Sequence, residues 1–371
     1  MKLFQNQKNA NWGRGLLDFN GVFTRQPGFT ATGSPVADFL TGVANSAQLG
    51  SVTNEKDIGR YLEWFVQDRW RVTSKLTLTA GLRYEYNPPS WEARDMISSV
   101  VFDRGYVNPR VVVPKGQNEA SLAYMRDVLF PFIPVQRAND LDRGLVINTY
   151  KNFAPRLGIA YQITPKIVLR TGYGIFYGFP DVVSGSVLTV NPPSKILIGD
   201  ASNTVDPTLL IDRSVFGQAP FNRALTNPNF FSVRSASFPP ELTQMYNFSI
   251  QYEFQPNWLF EIGYMGNRST RVAVNTQIND AYPALPADNS SPQSRRRVST
   301  VLGNMPYLAP QGSSNFNALT FNLEKRFSQG LSLLANYTWS RALGSAPPVT
   351  NAINTSAVQD PFNLRREYGP L

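Results

Sequence analysis

Five acidic residues stand at positions that alternate with apolar ones: Glu63, Glu85, Glu253, Glu261 and Glu324. Two carboxylates on one surface, one protonated and one ionised, are the smallest constellation for acid–base hydrolysis. A hydrated wall with charge pairs is the simpler reading, because Arg83 precedes Glu85 and Arg326 follows Glu324 at the same two-residue spacing. The chain has no His and no Cys. That excludes Ser–His catalysis, thiolate chemistry, disulfides and zinc sites built on those ligands within the chain. Gly172-Tyr173-Gly174 and Gly263-Tyr264-Met265-Gly266 are followed by no helical pattern, so neither has the context of a phosphate loop. Asp18, Asp38 and Asp68 miss calcium-loop spacing. The expectation is no enzyme, no cofactor and no metal.

The formal charge of +9 raises nucleic acid as a partner, but the basic residues do not cluster apart from Arg295-Arg296-Arg297. That run reads first as a solvated loop, and second as a contact for acidic lipid head groups or an anionic ligand. No nucleic-acid partner is expected.

The elements that position these residues are strands. Gly 26 and Pro 28 in 371 residues argue against a helical protein, and no apolar run reaches the length of a spanning helix. Four times an alternating strand, a three-residue turn and a second alternating strand recur. The turns are Thr73-Ser74-Lys75, Thr164-Pro165-Lys166, Gln255-Pro256-Asn257 and Ser328-Gln329-Gly330. Apolar pairs close them: Val72/Leu76, Ile163/Ile167, Phe254/Trp258 and Phe327/Leu331. The hairpins cover residues 61–87, 156–177, 245–265 and 316–343. A further strand is expected over 12–24, a short helix or turn over 35–42, and a polar stretch from there to about 58. Residues 144–150 (GLVINTY) look strand-like.

Period two sorts each strand into two faces. Trp64, Trp70, Tyr84, Tyr173, Trp258, Tyr264, Tyr337 and Trp339 fall on the apolar faces. Glu63, Arg83, Glu85, Arg170, Glu253, Glu261, Glu324 and Arg326 fall on the polar ones. If Val72 pairs with Leu76, Trp64 lies across from Tyr84. Glu63 then lies across from Glu85, which repels unless a cation intervenes. Asp68 and Lys325 break the pattern by falling on the apolar face. The glycines of the second hairpin's polar face suggest close packing or bending.

Short turns on one side and long loops (88–152, 179–243, 266–315) on the other are the layout of an antiparallel outer-membrane β-barrel. Strands of about ten residues suffice to cross a bilayer at a tilt. On this reading the aromatics form girdles at the lipid interface, and the charged set faces the lumen. The competing reading makes the aromatics the core of a soluble or surface-displayed β-sandwich that binds carbohydrate. It requires the apolar faces to pack on another sheet. Tyr106, Tyr124, Phe230, Phe231 and Tyr307 are aromatics of the long loops, available either for ligand or for packing inside the loops.

The phrases EWFVQDRWRVTSKLTLTAGLRYEYNPP, NFAPRLGIAYQITPKIVLRTGYGIFYG and FNALTFNLEKRFSQGLSLLANYTWSRAL resemble the barrel of TonB-dependent receptors. The Oar-like branch abundant in Acidobacteria is the nearest. The ending DPFNLRREYGP resembles a stretch inside that barrel, before its last strands. The resemblance implies a 22-stranded barrel in the bacterial outer membrane, plugged by an N-terminal domain. It implies uptake of a large or scarce nutrient with energy from TonB. Its partners would be outer-membrane lipid, the TonB complex and plug of a full-length protein, and an unknown nutrient. No signal peptide, TonB box, plug or closing aromatic residue is recognised. The expectation is therefore an internal piece of about nine strands over residues 1–371.

Overall fold

The computed structural model describes residues 2–9, 13–29, 31–178, 188–202, 207, 209–211, 224–230, 233–285, 288–345, 358, 360 and 362–371. In chain order the first strands are β1 (Lys2–Asn9), β2 (Leu16–Asp18), β3 (Ser46–Gly50), β4 (Thr53–Arg60), β5 (Leu62–Arg71) and β6 (Leu76–Tyr86). Then come β7 (Trp91–Glu92), β8 (Ser99–Asp103), β9 (Val107–Val113), β10 (Val135–Arg137), β11 (Phe153–Thr164) and β12 (Ile167–Tyr177). The rest are β13 (Leu197–Ala201), β14 (Val233–Arg234), β15 (Leu242–Gln255), β16 (Trp258–Gln277), β17 (Pro306–Ser328), β18 (Leu331–Ser345) and β19 (Tyr368–Pro370). Two short helices join them, α1 (Pro35–Thr41) and α2 (Glu119–Ala123). Ser34 caps α1 by accepting from the Ala37 N–H, and Gly42 closes it at φ 74°.

One sheet dominates, in the order β19-β18-β17-β16-β15-β12-β11-β6-β5, with β14 pairing parallel to β17. All other neighbours in it are antiparallel. Its eight long strands are the four expected hairpins, and Trp64 pairs with Tyr84 and Glu63 with Glu85 as alternation requires. β16 and β17 continue well beyond the expected hairpins, carrying the sheet up into the loop region.

Only the first turn has three residues. The other three close one step later, at Thr164/Ile167, Gln255/Trp258 and Ser328/Leu331, each with a register shift just before the turn. Positive φ at Asn257 (66°) serves the third turn and at Gln329 (53°) and Gly330 (73°) the fourth, whereas Pro165-Lys166 turns without it. The extra residue is absorbed as a bulge, which leaves the two faces intact.

Each turn lies two residues lower on the sheet than the one before. Leu76 pairs with Tyr161, so Ile163 sits two residues below. Ile167 pairs with Tyr252, two residues above Phe254. Trp258 pairs with Lys325, two residues above Phe327. The stagger is one residue per strand. A rise of ~3.4 Å along the strand for each ~4.8 Å across it tilts the strands by about 35° from the normal to a level turn rim. That is the tilt of a membrane barrel.

The hydrophobic core lies in the loops, away from the sheet's apolar face. Val100, Val111, Val113, Met125, Leu129, Phe130, Ile196, Phe230, Leu302 and Met305 are among its buried members. Segments from the three long connections thus build one packed cap. A π-helical turn, Tyr124–Leu129, contributes Met125 and Leu129.

Several expectations need correcting. The strand over 12–24 shrinks to β2, outside the main sheet, because Gly15 and Gly21 adopt φ 82° and 84° and break the extended run. Trp12 lies outside the described residues. The ninth strand of the main sheet is β19 instead. The polar stretch to 58 contains β3 and β4; β4 is a strand with buried polar residues, Glu55 and Asp57, so it lacks the apolar alternation that reveals strands. Residues 144–150 form no strand. They make one bridge, Ile147 to Ser237, while Leu145 and Val146 are buried.

Candidate functional site

The strand wall is the candidate functional surface, and its two faces differ in chemistry. On the apolar face the large side chains stay exposed: Trp64 49%, Trp70 61%, Leu157 58%, Tyr337 63% and Trp339 68%. Among the described residues no second sheet covers them.

The aromatics of this face fall at two levels above the turns. Near the turns are Trp70, Tyr161, Tyr252, Phe254 and Trp258, with Phe254 and Trp258 in ring contact at 5.9 Å. Six to eight residues higher are Trp64, Tyr84, Tyr173, Tyr246, Tyr264, Tyr337 and Trp339. Trp64 stacks on Tyr84 at 5.5 Å, and Tyr246 on Tyr264 at 6.1 Å. Between the levels the face is mostly Leu, Ile, Val and Ala, while Phe248 and Phe321 sit at the upper level opposite Tyr264 and Tyr337.

Ten residues above each closing apolar residue of the last two hairpins, the face turns polar: Gln244, Arg268, Asn317 and Arg341. The upper tyrosines reach for this row. The Tyr173 hydroxyl donates to Gln244 Oε1 at 3.2 Å. Those of Tyr246 and Tyr264 donate to Asn317 Oδ1 at 2.8 and 2.7 Å. Gly266 makes the reach of Tyr246 possible: a Cβ there would lie 2.7 Å from the Tyr246 ring and from the Phe316 carbonyl. At a 35° tilt the apolar rows span about 25 Å, the height of a lipid-facing band.

Lys325 interrupts this face near a turn, yet its charge does not point outward. Nζ donates to the Ser328 carbonyl at 2.7 Å and the Leu331 carbonyl at 2.9 Å, 5.8 Å from the Trp258 ring centroid. The ammonium ties the fourth turn together, and 7% of the residue is exposed. Lys325→Met is expected to cost about 1.5–3 kcal/mol, the worth of charged hydrogen bonds to turn carbonyls. The check is the urea midpoint of the lipid-reconstituted full-length protein; an unchanged midpoint refutes the tie.

The polar face gathers three of the expected charges. Arg83 donates to Glu63 and forms an ion pair with Glu85, Nε to Oε1 at 2.8 Å. This guanidinium is the cation that relieves the Glu63/Glu85 pairing. Glu261 accepts from the Gln251 amide, and Arg326 lies 3.5 Å from Glu324. Arg170 and Glu253 join no ion pair among the described residues. The glycines of the second hairpin give room: a Cβ at Gly174 would meet the Phe176 ring at 2.9 Å, and Arg156 lies over that ring at 4.5 Å. Close packing is therefore the role of Gly172 and Gly174, while Gly158 has ordinary space around it. No two carboxylates face each other here without an intervening cation or a strand between them, and the face presents a charge-paired wall.

The loop aromatics pack. Phe230 is fully buried, and Tyr106 contacts Phe102, Tyr307 and Phe362 at ring distances of 5.5–5.9 Å. Tyr124 is partly buried against the cap core. Phe231 lies outside the described residues. The Arg295-Arg296-Arg297 run is likewise built in. Arg295 donates to the Tyr282 carbonyl, Arg296 to Asn279 O at 2.7 Å, and Arg297 stacks on Tyr282 and Phe362. The expectation of a solvated loop fails because each guanidinium finds a carbonyl or a ring. What organises that loop is Asn279, which has no period or motif to reveal it. Fully buried, it holds the Ser299, Leu302 and Gly303 carbonyls and the N–H groups of Val298 and Ser299 at 2.7–3.0 Å.

The profile of the family described as "Outer membrane beta barrel domain" matches residues 1–371. The chain belongs to that family. Its place is the outer membrane, and its fold is an all-β, antiparallel barrel wall. No curated protein matches the chain. Among solved structures it is similar to the alcaligin outer-membrane receptor FauA of Bordetella pertussis, at 10% identity and TM-score 0.32, covering 83% of this chain and 36% of that one. The outer-membrane transporter YddB of Escherichia coli is similar at 9% identity and TM-score 0.39, covering 84% and 36%. The siderophore receptor PirA of Pseudomonas aeruginosa follows at 10% and 0.36, covering 82% and 45%. The chain thus spans under half the length of these structures.

Proposed function

We propose that this chain forms a sector of the barrel wall of a TonB-dependent outer-membrane receptor, which binds and takes up a large or scarce nutrient and catalyses nothing. One observation carries the wall: the apolar face of eight staggered strands is open, while the hydrophobic core lies in the loops. A soluble carbohydrate-binding sandwich needs the reverse, so that reading is disfavoured. Trp70 and Trp258 meet lipid at the turn side. Trp64, Tyr84, Tyr173, Tyr264, Tyr337 and Trp339 meet it at the loop side. Glu63, Arg83, Glu85, Arg170, Glu253, Glu261, Glu324 and Arg326 line the lumen, where a plug of the full-length protein would contact them. TonB would act through that same protein. The receptor assignment rests on the sequence phrases, as does the Oar-like affinity, and the nutrient is unnamed.

The test is a deletion of the gene, with uptake of a panel of iron chelates, peptides and oligosaccharides measured with and without an uncoupler. Loss of one energised uptake activity, restored by the intact gene, is expected. Unchanged uptake across the panel, with the barrel present in the outer membrane of the parent strain, would sink the transport reading.

A further inference from the structure

Four ionisable side chains other than tyrosine fall on the apolar face of the eight long strands: Asp68, Arg268, Lys325 and Arg341. Arg268 and Arg341 belong to the polar row above the upper tyrosines. Lys325 is tied to its turn. Asp68 alone sits inside the apolar band, four residues above Val72 and so about 11 Å above the turn rim. Trp70 lies below it and Val66 above it on the same face.

A carboxylate facing lipid at this depth is costly, and such residues are retained where a partner satisfies them. Thr171, a neutral polar residue at the same level, donates its hydroxyl to the Asn247 carbonyl at 2.8 Å. Asp68 has no hydrogen bond or ion pair among the described residues, and its cross-strand neighbour is Ala80. It also stands on the strand whose backbone is half unpaired, since β5 pairs with β6 alone. A barrel wall in lipid has no free edge, so a further strand lies against β5.

We propose that Asp68 is a register lock: the barrel strand that closes against the outer edge of β5 carries Lys or Arg on its apolar face, opposite Asp68. The lock answers a specific ambiguity. Alternation forbids a one-residue slip, because every side chain would change faces. A two-residue slip keeps all faces correct and merely exchanges one apolar residue for another. A single buried charge pair makes that slip unfavourable by leaving both ions unpaired in lipid. At the sheet's other end β18, whose edge is free below its pairing with β19 at Leu343, does not supply the cation. At Asp68's level it offers Leu333 and Ala335, and Arg341 is ten residues above its turn. The partner therefore belongs to a barrel strand outside the described sheet.

This inference rests on the lipid-facing reading of the apolar face and is independent of what is transported. It is tested in the full-length receptor, reconstituted in phosphatidylcholine vesicles, by the temperature at which the folded band is lost on a gel. Asp68→Leu and Asp68→Asn are expected to lower that temperature, and Asp68→Glu to retain it. Ala335→Leu, at the same level of the same face, is expected to be neutral. If Asp68→Leu is as stable as the parent or more so, the carboxylate has no partner and the lock is refuted. If Asp68→Leu is destabilised but Asp68→Asn is not, a hydrogen bond suffices and the cation is refuted. If Ala335→Leu is as damaging as Asp68→Leu, the lipid-facing reading has failed instead.

Discussion

Leu323→Arg is expected to destabilise the barrel by about 2–4 kcal/mol, while Asn322→Arg, its neighbour on the same strand, stays within about 0.5 kcal/mol. The two positions differ only in direction. Leu323 lies on the apolar face, between Phe260 and Ala335 in the adjacent strands. It stands four residues above Phe327, deep in the band, where a guanidinium has neither water nor a partner. Asn322 points to the polar face and pairs with Glu261, which would receive the new cation. Unfolding of the full-length protein from vesicles, followed by urea titration, measures both. Equal losses would mean that the two faces meet the same solvent, and the membrane-wall assignment would fall. Equal tolerance would do the same.

Asn279→Ala is expected to free the loop between β16 and β17 without unfolding the sheet. The side chain satisfies three carbonyls and two N–H groups in a site with no exposure. Stranding several of these groups costs at least about 3 kcal/mol. At 1.4 kcal/mol per decade, that raises local opening by roughly 100-fold. The reporter is built in. Arg295, Arg296 and Arg297 are held by the same loop, so trypsin should cleave there far faster in the variant. Digestion at an unchanged rate would show that the loop is held by its rings and ion pairs rather than by Asn279. Asp288 supports the same loop from its surface. The Ser290 hydroxyl and N–H, and then Arg295, hold its carboxyl below the usual range, so that contribution fades only as pH falls through the depressed value.

The sequence by itself determined the class, the four hairpins and the facing of their side chains. The reason is locality: the pleat sends successive residues to opposite faces, so Trp64 over Tyr84 and Glu63 over Glu85 follow once a turn is found. Even there, turn chemistry outran pattern. Asn257 and Gln329 take positive φ, which permits a shorter turn plus a bulge that alternation does not reveal.

Only the tertiary structure decided how hairpins meet. β12 joins β15 and β16 joins β17 across long connections, and no local rule sets their register. The one-residue stagger, and with it the tilt and the two aromatic levels, appears only when those seams are in place. The cap core has the same origin. Val111 and Phe130 come from one long loop, Phe230 and Met305 from two others, all polar on average, and their burial is a collective property of segments that meet in space. Lys325 was legible as an exception and Asn279 was not legible at all. A charged residue on an apolar face breaks a period, whereas an asparagine in a loop breaks none.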